Sequence, residues 1–268
     1  MVITRRTCQT LLLGAFAACG AVFGVHAQDY SSDPYKPNVA YDSWVRISQA
    51  EHAYSIPPGL LHAISLVETG QGIGGYVLPW PYTVGVNSPG SDSYLKPEYV
   101  LNRLAQLKKM GFVRFDISAD GSARSNVNYA DALAFLATHT NNRSYSLQAR
   151  PFGRRFNNVD EAEGFVYRMF AMGHRNLDIG LMQINWPVHN RHFASVRQAL
   201  DPQVNLRYAV TYLLTHRTAD WWGAVGRYHS GTPKYAKPYI LNVWNMYQRI
   251  HRLNTKTAAN GNTRVATR

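Results

Sequence analysis

The stretch GLLHAISLVETG, residues 59–70, decides the fold around it, because it predicts an apolar helix that carries very few ionisable groups. Pro57 and Pro58 suit the first turn of a helix, where a missing N–H costs little. Gly70 suits the residue that ends it. The sequence therefore predicts a buried helix between these prolines and this glycine.

Glu68 is the only acid in that helix, and His62 is its only other ionisable residue. Leu61 and Ile64 share the helix face of Glu68, and an apolar face disfavours the charged form of a carboxyl. We therefore expect a raised pKa, which suits a general acid at a glycosidic oxygen. The alternative is an ordinary solvated glutamate at a helix end.

The second informative stretch is GLMQIN, residues 180–185, which glycine and proline residues flank as in an irregular turn. In an extended segment Gln183 and Asn185 point to one side, and Met182 and Ile184 to the other. Amides on one side suit sugar hydroxyls and N-acetyl groups. They could equally satisfy the backbone of the loop itself.

Residues 1–27 have the pattern of a secretory signal peptide. Arg5 and Arg6 provide the positive start, the stretch 11–25 carries no charge, and Ala27 ends a small-residue cleavage site. We therefore expect an exported chain. No later charge-free run is long enough for a transmembrane helix, so we expect no integral span in the mature chain.

Both cysteines, Cys8 and Cys19, fall inside the predicted signal peptide. The mature chain would therefore have no disulfide framework and no cysteine chemistry. Residues 17–20 allow an alternative, lipid anchoring through Cys19, which competes with cleavage after Ala27.

The chain is strongly basic, with 28 Lys and Arg against 16 Asp and Glu and a formal net charge of +12. Loss of Arg5 and Arg6 with the signal leaves +10, and such a surface prefers polyanions. The basic residues are scattered and form no recognised nucleic-acid motif, so we expect no nucleic-acid partner. The carboxylate-bearing peptides of a cell-wall polymer fit the charge equally well.

Composition predicts a polar leader over residues 28–40, one domain over 41–252 and a disordered basic tail over 253–268. Helical spacing predicts a first helix over Trp44–Tyr54. Asp201 followed by proline predicts the start of another helix.

Two stretches of the chain are loosely alike. Helices are predicted over Tyr94–Gly111 and over Val159–Gly173, and each is followed by a segment ending in Asp-Ile, residues 112–117 and 174–179. The likeness is either an internal repeat or chance.

Several motifs occur in the order found in one family. They are Ile56-Pro57-Pro58-Gly59-Leu60-Leu61, Val67-Glu68-Thr69-Gly70, Gly180 to Asn185, Asp201-Pro202 with Asn205 and Tyr212-Leu213, and Tyr228-His229-Ser230-Gly231. Together they resemble the soluble lytic transglycosylases of the lysozyme-like superfamily. The resemblance covers residues 41–83 and 173–252 and leaves an insertion of about residues 84–172. The loop Trp80-Pro81-Tyr82-Thr83 and the histidine of the last motif resemble the branch found with conjugative-transfer and secretion machinery.

The resemblance implies a mainly α, α+β lysozyme-like fold in which Glu68 is the catalytic residue. It implies substrate-binding positions at Thr69, Gln183, Asn185 and Tyr228, with Tyr228 approaching the catalytic carboxyl. The substrate would be peptidoglycan glycan strands in the periplasm, and components of a conjugation or secretion apparatus would be further partners. No cofactor and no metal are expected.

The implied reaction cleaves the bond between N-acetylmuramic acid (MurNAc) and N-acetylglucosamine (GlcNAc) and forms a 1,6-anhydro end, with Glu68 acting first as acid and then as base. Asp178 leaves an alternative open, because a second catalytic carboxyl would allow hydrolysis. It could also be a turn or cap residue. Tyr82, Trp186 and Tyr228 are candidates for sugar stacking or for core packing.

Two rival functions remain. A metal could be suggested by five histidines of the second half, which are His174, His189, His192, His216 and His229. His189 and His192 lack the acid of the zinc-protease motif, so structural or surface roles are expected. The other rival is a non-catalytic wall-binding or assembly protein that keeps the groove for docking.

Overall fold

The computed structural model describes residues 38–73, 76–140, 144–217 and 220–265. The predicted signal peptide and nearly all of the predicted leader lie outside these residues. In the described part of the chain no helix is both long enough and apolar enough to cross a membrane.

Helices make up most of the described chain. They are α1 (Asn38–Ala53), α2 (Leu60–Thr69), α3 (Pro97–Lys109), α4 (Tyr129–Thr138), α5 (Val159–Ala171), α6 (Trp186–His189), α7 (Val196–Leu200), α8 (Pro202–Thr215), α9 (Trp221–His229) and α10 (Pro233–Val265), with a short 3-10 helix at Asn190–His192. The mixture of these helices with three small sheets confirms the predicted α+β class.

The strands form a hairpin and two four-stranded sheets. They are β1 (Gly70–Ile73), β2 (Tyr76–Pro79), β3 (Thr83–Val86), β4 (Ser91–Leu95), β5 (Phe115–Ala119), β6 (Ser122–Val127), β7 (Tyr145–Ala149), β8 (Phe152–Arg155), β9 (Leu177–Ile179) and β10 (Ile184–Asn185). β1 and β2 form the hairpin. Sheet I has the order β8-β3-β9-β10 and sheet II has the order β4-β7-β5-β6, with every pair antiparallel.

The helix predicted from the opening motif is α2, which packs against α1, α10 and β2. It begins at Leu60, after Pro57 and Pro58 rather than on them, because Gly59 before it has φ of 90°. Every residue of α2 except Glu68 is buried. The helix is therefore a core element with its acid at the one partly exposed position.

The predicted insertion of about residues 84–172 contains a segment that leaves sheet I and returns to it. Residues 87–151 leave sheet I after Val86 and return at Phe152, and these two residues are paired across β3 and β8. β3 and β8 are strands of sheet I, and α5 packs against β3. These elements therefore belong with the strands β9 and β10 that carry the second motif. The segment that leaves sheet I is therefore shorter than the predicted insertion, whose bounds stay a prediction.

Sheets I and II have the same topology. In each, a strand, a helix and two further strands follow in sequence, and a strand from elsewhere in the chain lies between the first and second of them. That extra strand is β3 in sheet I and β7 in sheet II. The helices α5 and α3 both end at Met-Gly, with φ of 78° at Gly173 and 96° at Gly111. The two stretches that are alike in sequence thus have the same local structure.

Two other predictions need correction. Tyr94 lies in β4 rather than in a helix, and α3 begins at Pro97, because the residue before a proline is held in an extended conformation. α10 continues to Val265 where a disordered tail was predicted. Helix propagation is cooperative, so the packed amphipathic part of α10 extends into a polar sequence.

Candidate active site

The N-terminal end of α2 is held in place by a buried carboxylate from α1. Glu51 accepts hydrogen bonds from the backbone N–H groups of Gly59 at 2.8 Å, Leu61 at 2.7 Å and His62 at 3.2 Å. Its other contact is with Nδ1 of His62 at 3.1 Å. Glu51 therefore does the work of an N-cap for a helix whose own cap residue is a glycine. This fixes the helix that carries Glu68.

Glu68 has the environment of a carboxylic acid that stays protonated near neutral pH. Burial raises its pKa to about 8, a hydrogen bond from Tyr239 opposes the rise, and the negative charge of Asp178 adds to it. The hydroxyl of Tyr239 donates to Oε1 of Glu68 at 2.6 Å. The raised pKa predicted from the apolar helix face is therefore confirmed, and its main cause is desolvation.

Tyr228 lies near enough to Glu68 to feel its charge, as the resemblance implies, but it makes its hydrogen bond elsewhere. Its hydroxyl donates to the backbone carbonyl of Met182 at 2.6 Å, and its side chain is almost wholly buried. Burial, together with the nearby charge of Glu68, raises its pKa well above the usual value. The hydrogen bond to Glu68 comes from Tyr239, which the sequence analysis missed. It follows the Tyr228 motif on the next helix, and no motif residue marked it.

Thr69 also serves the protein backbone rather than a ligand. Its hydroxyl donates to the carbonyl of Ser65 at 3.0 Å and to that of Leu181 at 3.0 Å, and the residue is fully buried. The expected substrate contact is therefore corrected, since a residue without exposed surface cannot touch a sugar. Thr69 and Tyr228 together tie the turn at residues 180–183 to α2 and α9.

The amides of Gln183 and Asn185 lie on the polar side of that turn, while Met182 and Ile184 are buried. Nε2 of Gln183 donates to the carbonyls of Thr83 at 3.1 Å and Gly180 at 2.9 Å. The backbone-satisfying role is thus real for the donor half of this amide. Its φ of 48° is the left-handed conformation.

Asn185 belongs to a small amide cluster around Asp178. Its Nδ2 donates to Oδ1 of Asp178 at 2.8 Å, and Nδ2 of Asn87 donates to Oδ2 of Asp178 at 2.7 Å. Both amides also lie near Oδ1 of Asn176, at 3.4 and 3.5 Å. Asp178 is a strand residue, not a turn or cap residue. Asn87 was missed by sequence analysis because its partner lies 91 residues later in the chain.

Within the described residues, the carbonyl oxygens of Gln183 and Asn185 make no hydrogen bond, whereas their amide donors do. Such oxygens are acceptors suited to a sugar hydroxyl or to the N–H of an N-acetyl group.

A close approach between strands explains one glycine in this region. A Cβ placed on Gly85 would lie 2.6 Å from Oε1 of Gln183 and 3.3 Å from Cβ of Asp178. The amide of Gln183 therefore packs directly over the backbone of β3, which only glycine allows.

The aromatic candidates differ in their surroundings. Tyr82 and Trp186 are partly buried and pack against the main core, and Trp186 lies 6.2 Å from Phe170 between ring centroids. His229 stacks on Tyr239 with centroids 4.4 Å apart and an angle of 6° between the rings. The ring that donates to Glu68 is thus held on its face by the histidine of the last motif.

The histidines considered as metal ligands are dispersed. Nδ1 of His189 lies 2.8 Å from the hydroxyl of Tyr208, and Nδ1 of His216 lies 2.8 Å from the carbonyl of Tyr212. Burial lowers the pKa of His174. A search of the described residues finds no group of three histidine, cysteine, aspartate or glutamate side chains placed to hold a metal ion.

Comparisons with known proteins bear on the residues of this site that lie in the second half of the chain. No curated protein and no solved structure matches the chain. Residues 164–240 match the family model of the transglycosylase SLT domain. The matched segment includes Gln183, Asn185, Tyr228 and Tyr239 but not Glu68. The match supports a lytic transglycosylase family and, with it, peptidoglycan as the substrate class.

Proposed function

We propose that the protein cleaves the β-1,4 bond between MurNAc and GlcNAc of peptidoglycan and leaves a 1,6-anhydro end. The observation that carries the proposal is the carboxyl of Glu68, partly exposed at the end of a buried helix, with a pKa raised to about 8. A protonated carboxyl near neutral pH can donate its proton to a glycosidic oxygen.

In the proposed first step, the proton of Glu68 passes to the leaving oxygen as the bond from C1 of MurNAc to that oxygen breaks. The carboxylate then accepts the proton of the C6 hydroxyl while O6 forms a bond to C1. No water is consumed, and Glu68 ends the cycle protonated. The hydrogen bond from Tyr239 stabilises the carboxylate that exists between the two steps.

The acceptor oxygens of Gln183 and Asn185 are proposed to hold the sugars. The amide donors of both residues are already engaged, so their orientation is set before a substrate arrives. Such preorganisation reduces the cost of ordering side chains on binding.

A second candidate reaction is hydrolysis, as in a muramidase. Asp178 favours it, because a second carboxylate lies near enough to Glu68 to raise the pKa of that residue. Two carboxyls can activate water between them. Both oxygens of Asp178 accept amide hydrogen bonds, however, which suits a fixed charge better than a base.

Digestion of purified cell-wall sacculi followed by mass spectrometry separates these reactions. The proposal expects products with 1,6-anhydro ends, which borohydride does not reduce. Products heavier by one water and fully reducible would establish hydrolysis and overturn the anhydro-forming reaction.

The variant Glu68→Gln tests the assigned residue, because it keeps the shape and removes the acid. We expect the release of products to fall by about 1000-fold or more. Glu98→Gln, a change at an exposed acid of α3, is the matched control and should release products normally. A Glu68→Gln variant with normal release would refute the assignment and favour a non-catalytic wall-binding protein.

We further propose that the protein acts in the periplasm, for local opening of the wall by a conjugation or secretion apparatus. This rests on the signal-like residues 1–27 and on the sequence features of the related branch. Mass spectrometry of the mature N-terminus tests the cleavage site: a start near Gln28 supports cleavage after Ala27, and a lipid on Cys19 contradicts it.

A further inference from the structure

A polar cavity of about 300 Å³ lies at one end of sheet II, and none of its lining residues belongs to the candidate active site. Most of its lining is hydroxyl-bearing: the serines are Ser93, Ser118, Ser122, Ser144 and Ser146, and the tyrosines are Tyr94 and Tyr145. Asp120 contributes a carboxylate. We call this depression the Ser-Tyr cavity.

Tyr94 is the most unusual residue of the Ser-Tyr cavity. Its side chain is 85% exposed, and its φ of 60° is left-handed, a conformation that costs a non-glycine residue energy. The pairing of β4 with β7 shifts register between Asp92 and Leu95, on either side of it. Bulges of this kind re-aim side chains and are frequent beside binding sites. A tyrosine ring is thereby presented to solvent at the rim.

The position of the cavity follows from the repeated topology. Pairing of Asp178 with Gly85 in sheet I matches pairing of Asp116 with Gln148 in sheet II. Counting outward along the strands, Ser118 takes the place of Gly180. By the same count Ser146 takes the place of Thr83, and Tyr145 that of Tyr82.

The Ser-Tyr cavity therefore lies at the end of sheet II that corresponds to the active-site end of sheet I. In sheet I this end is the turn at residues 180–183, which the end of α2 covers through the bond from Thr69 to Leu181. In sheet II it is the tight turn at Asp120 and Gly121, both with positive φ, and it stays open as the cavity. Sheet II thus repeats the sheet beside the candidate active site but has no counterpart of α2 and Glu68 at this end.

We propose that the Ser-Tyr cavity is a second, non-catalytic binding site for the GlcNAc–MurNAc strands of peptidoglycan. The inference rests on the proposed substrate. Serine hydroxyls can both donate to and accept from sugar hydroxyls, and the Asp120 carboxylate accepts from hydroxyls or from an N-acetyl N–H. The face of the Tyr94 ring supplies an apolar surface for the C–H groups of a pyranose.

Such a site would hold the enzyme on its polymer between cleavage events. Two sites on one chain that engage the same strand or neighbouring strands raise the local concentration of substrate at the cleft. The cavity would therefore affect binding to polymer more than the chemistry at Glu68.

The test uses the full-length exported chain with Glu68→Gln, so that bound glycan is not cleaved. The probe is purified glycan strands freed of peptides by amidase, and the readout is the amount of protein that co-sediments or is retained on immobilised strands. Tyr94→Ala removes the ring, and Ala123→Leu places bulk in the cavity from β6. Tyr99→Ala removes another exposed tyrosine of the inserted segment, outside the cavity, and is the control.

We expect Tyr94→Ala and Ala123→Leu each to weaken binding about three- to tenfold, as for the loss of one aromatic contact, with Tyr99→Ala unchanged. Unchanged binding by Tyr94→Ala with an unchanged melting temperature would overturn the proposal. Weaker binding to intact sacculi but not to peptide-free strands would also overturn it, and would indicate stem peptides as the occupant.

Failure of this inference can be told apart from failure of the proposed function. If the cavity is irrelevant, the variants bind normally while the parent chain with Glu68 still produces anhydro ends. If the proposed reaction is wrong, anhydro ends are absent whatever the binding of the Tyr94 variant.

Discussion

Sheets I and II are built alike and differ in what packs on them. Each sheet has an aspartate on the strand that follows its helix, Asp178 on β9 in sheet I and Asp116 on β5 in sheet II. In each sheet the residue after the neighbouring strand, β3 or β7, donates a hydrogen bond to this aspartate. Asn87 donates to Asp178 at 2.7 Å, and Nε of Arg150 donates to Asp116 at 2.9 Å. The same scaffold therefore supports an amide cluster in one sheet and an ion pair in the other.

The difference between the sheets lies in α2. Its last turn covers the end of sheet I, where Thr69 and Tyr228 anchor the turn at residues 180–183 and Glu68 comes within range of the charge of Asp178. The site thus arises from the contact between helix and sheet. Variants at matched positions of the two sheets can test this.

The largest effect is expected at Gly180, compared with its counterpart Ser118. A Cβ at Gly180 would lie 2.9 Å from the carbonyl oxygen of Ala199 and 2.5 Å from Nδ2 of Asn205, and its φ is 82°. Gly180→Ala should lower the free energy of unfolding by about 3 kcal/mol or more. Ser118→Ala should change it by less than about 0.5 kcal/mol. Urea denaturation measures both.

That comparison fails if the two variants are equally stable. Such a result would mean that the turn of sheet I relaxes without loss, and that Asn205, which bonds Ile179, Ala199 and Met182 there, does not hold it.

The next effect concerns the two aspartates. Asp178→Asn replaces an acceptor that faces two amide donors, so Asn185 and Asn87 lose their fixed positions. We expect the rate of release of muropeptides to fall about 10- to 100-fold. Asp116→Asn should leave this rate unchanged and cost about 1 kcal/mol of stability, since its ion pair with Arg150 is partly exposed. Equal activity of the two variants would remove Asp178 from the site.

A smaller effect is expected in the pH dependence of stability. The pKa of Glu68 is about 8 in the folded chain against 4.5 in the unfolded one, so the folded state holds the extra proton between these values. Its contribution to stability is complete below pH 4.5 and is lost as the pH rises through 8. Glu68→Gln should therefore gain stability relative to the parent by roughly 1–2 kcal/mol between pH 5 and pH 7, after a discount for partial exposure.

Melting curves at pH 5, 6 and 7 measure this difference, with Glu98→Gln in α3 as control. The exposed acid of α3 should show no such trend. If Glu68→Gln tracks the parent at every pH, the carboxyl of Glu68 is not desolvated.

Sequence analysis could predict the parts of the molecule that local physics determines. The apolar helix ending in Glu68, its raised pKa and the cap at Asp201 follow from neighbouring residues. Tyr239 could not be found, because its hydroxyl reaches Glu68 from 171 residues away and carries no motif.

The assignment of strands to the two sheets could not be predicted either. Consecutive strands fall in different sheets at two places: β3 lies in sheet I and β4 in sheet II, and β7 lies in sheet II and β8 in sheet I. Antiparallel pairing depends on long-range contacts that no local pattern records. The likeness of the two Met-Gly segments, by contrast, was visible in the sequence.

The smallest effect should come from Tyr239, whose hydroxyl donates to Glu68 at the end of α2. The acid step needs protonated Glu68, so activity should fall as the pH rises through its pKa of about 8. The bond from Tyr239 lowers that pKa, so Tyr239→Phe should move the alkaline limb of the pH–rate profile to higher pH, with a loss of about threefold at the optimum. Asp178→Asn should move the same limb to lower pH, since it removes a charge that raises the pKa. Tyr99→Phe is the control and should move neither. Shifts in the same direction for both variants would mean that the alkaline limb reports a group other than Glu68. The packing of α2 on sheet I would then not explain the pH dependence of the reaction.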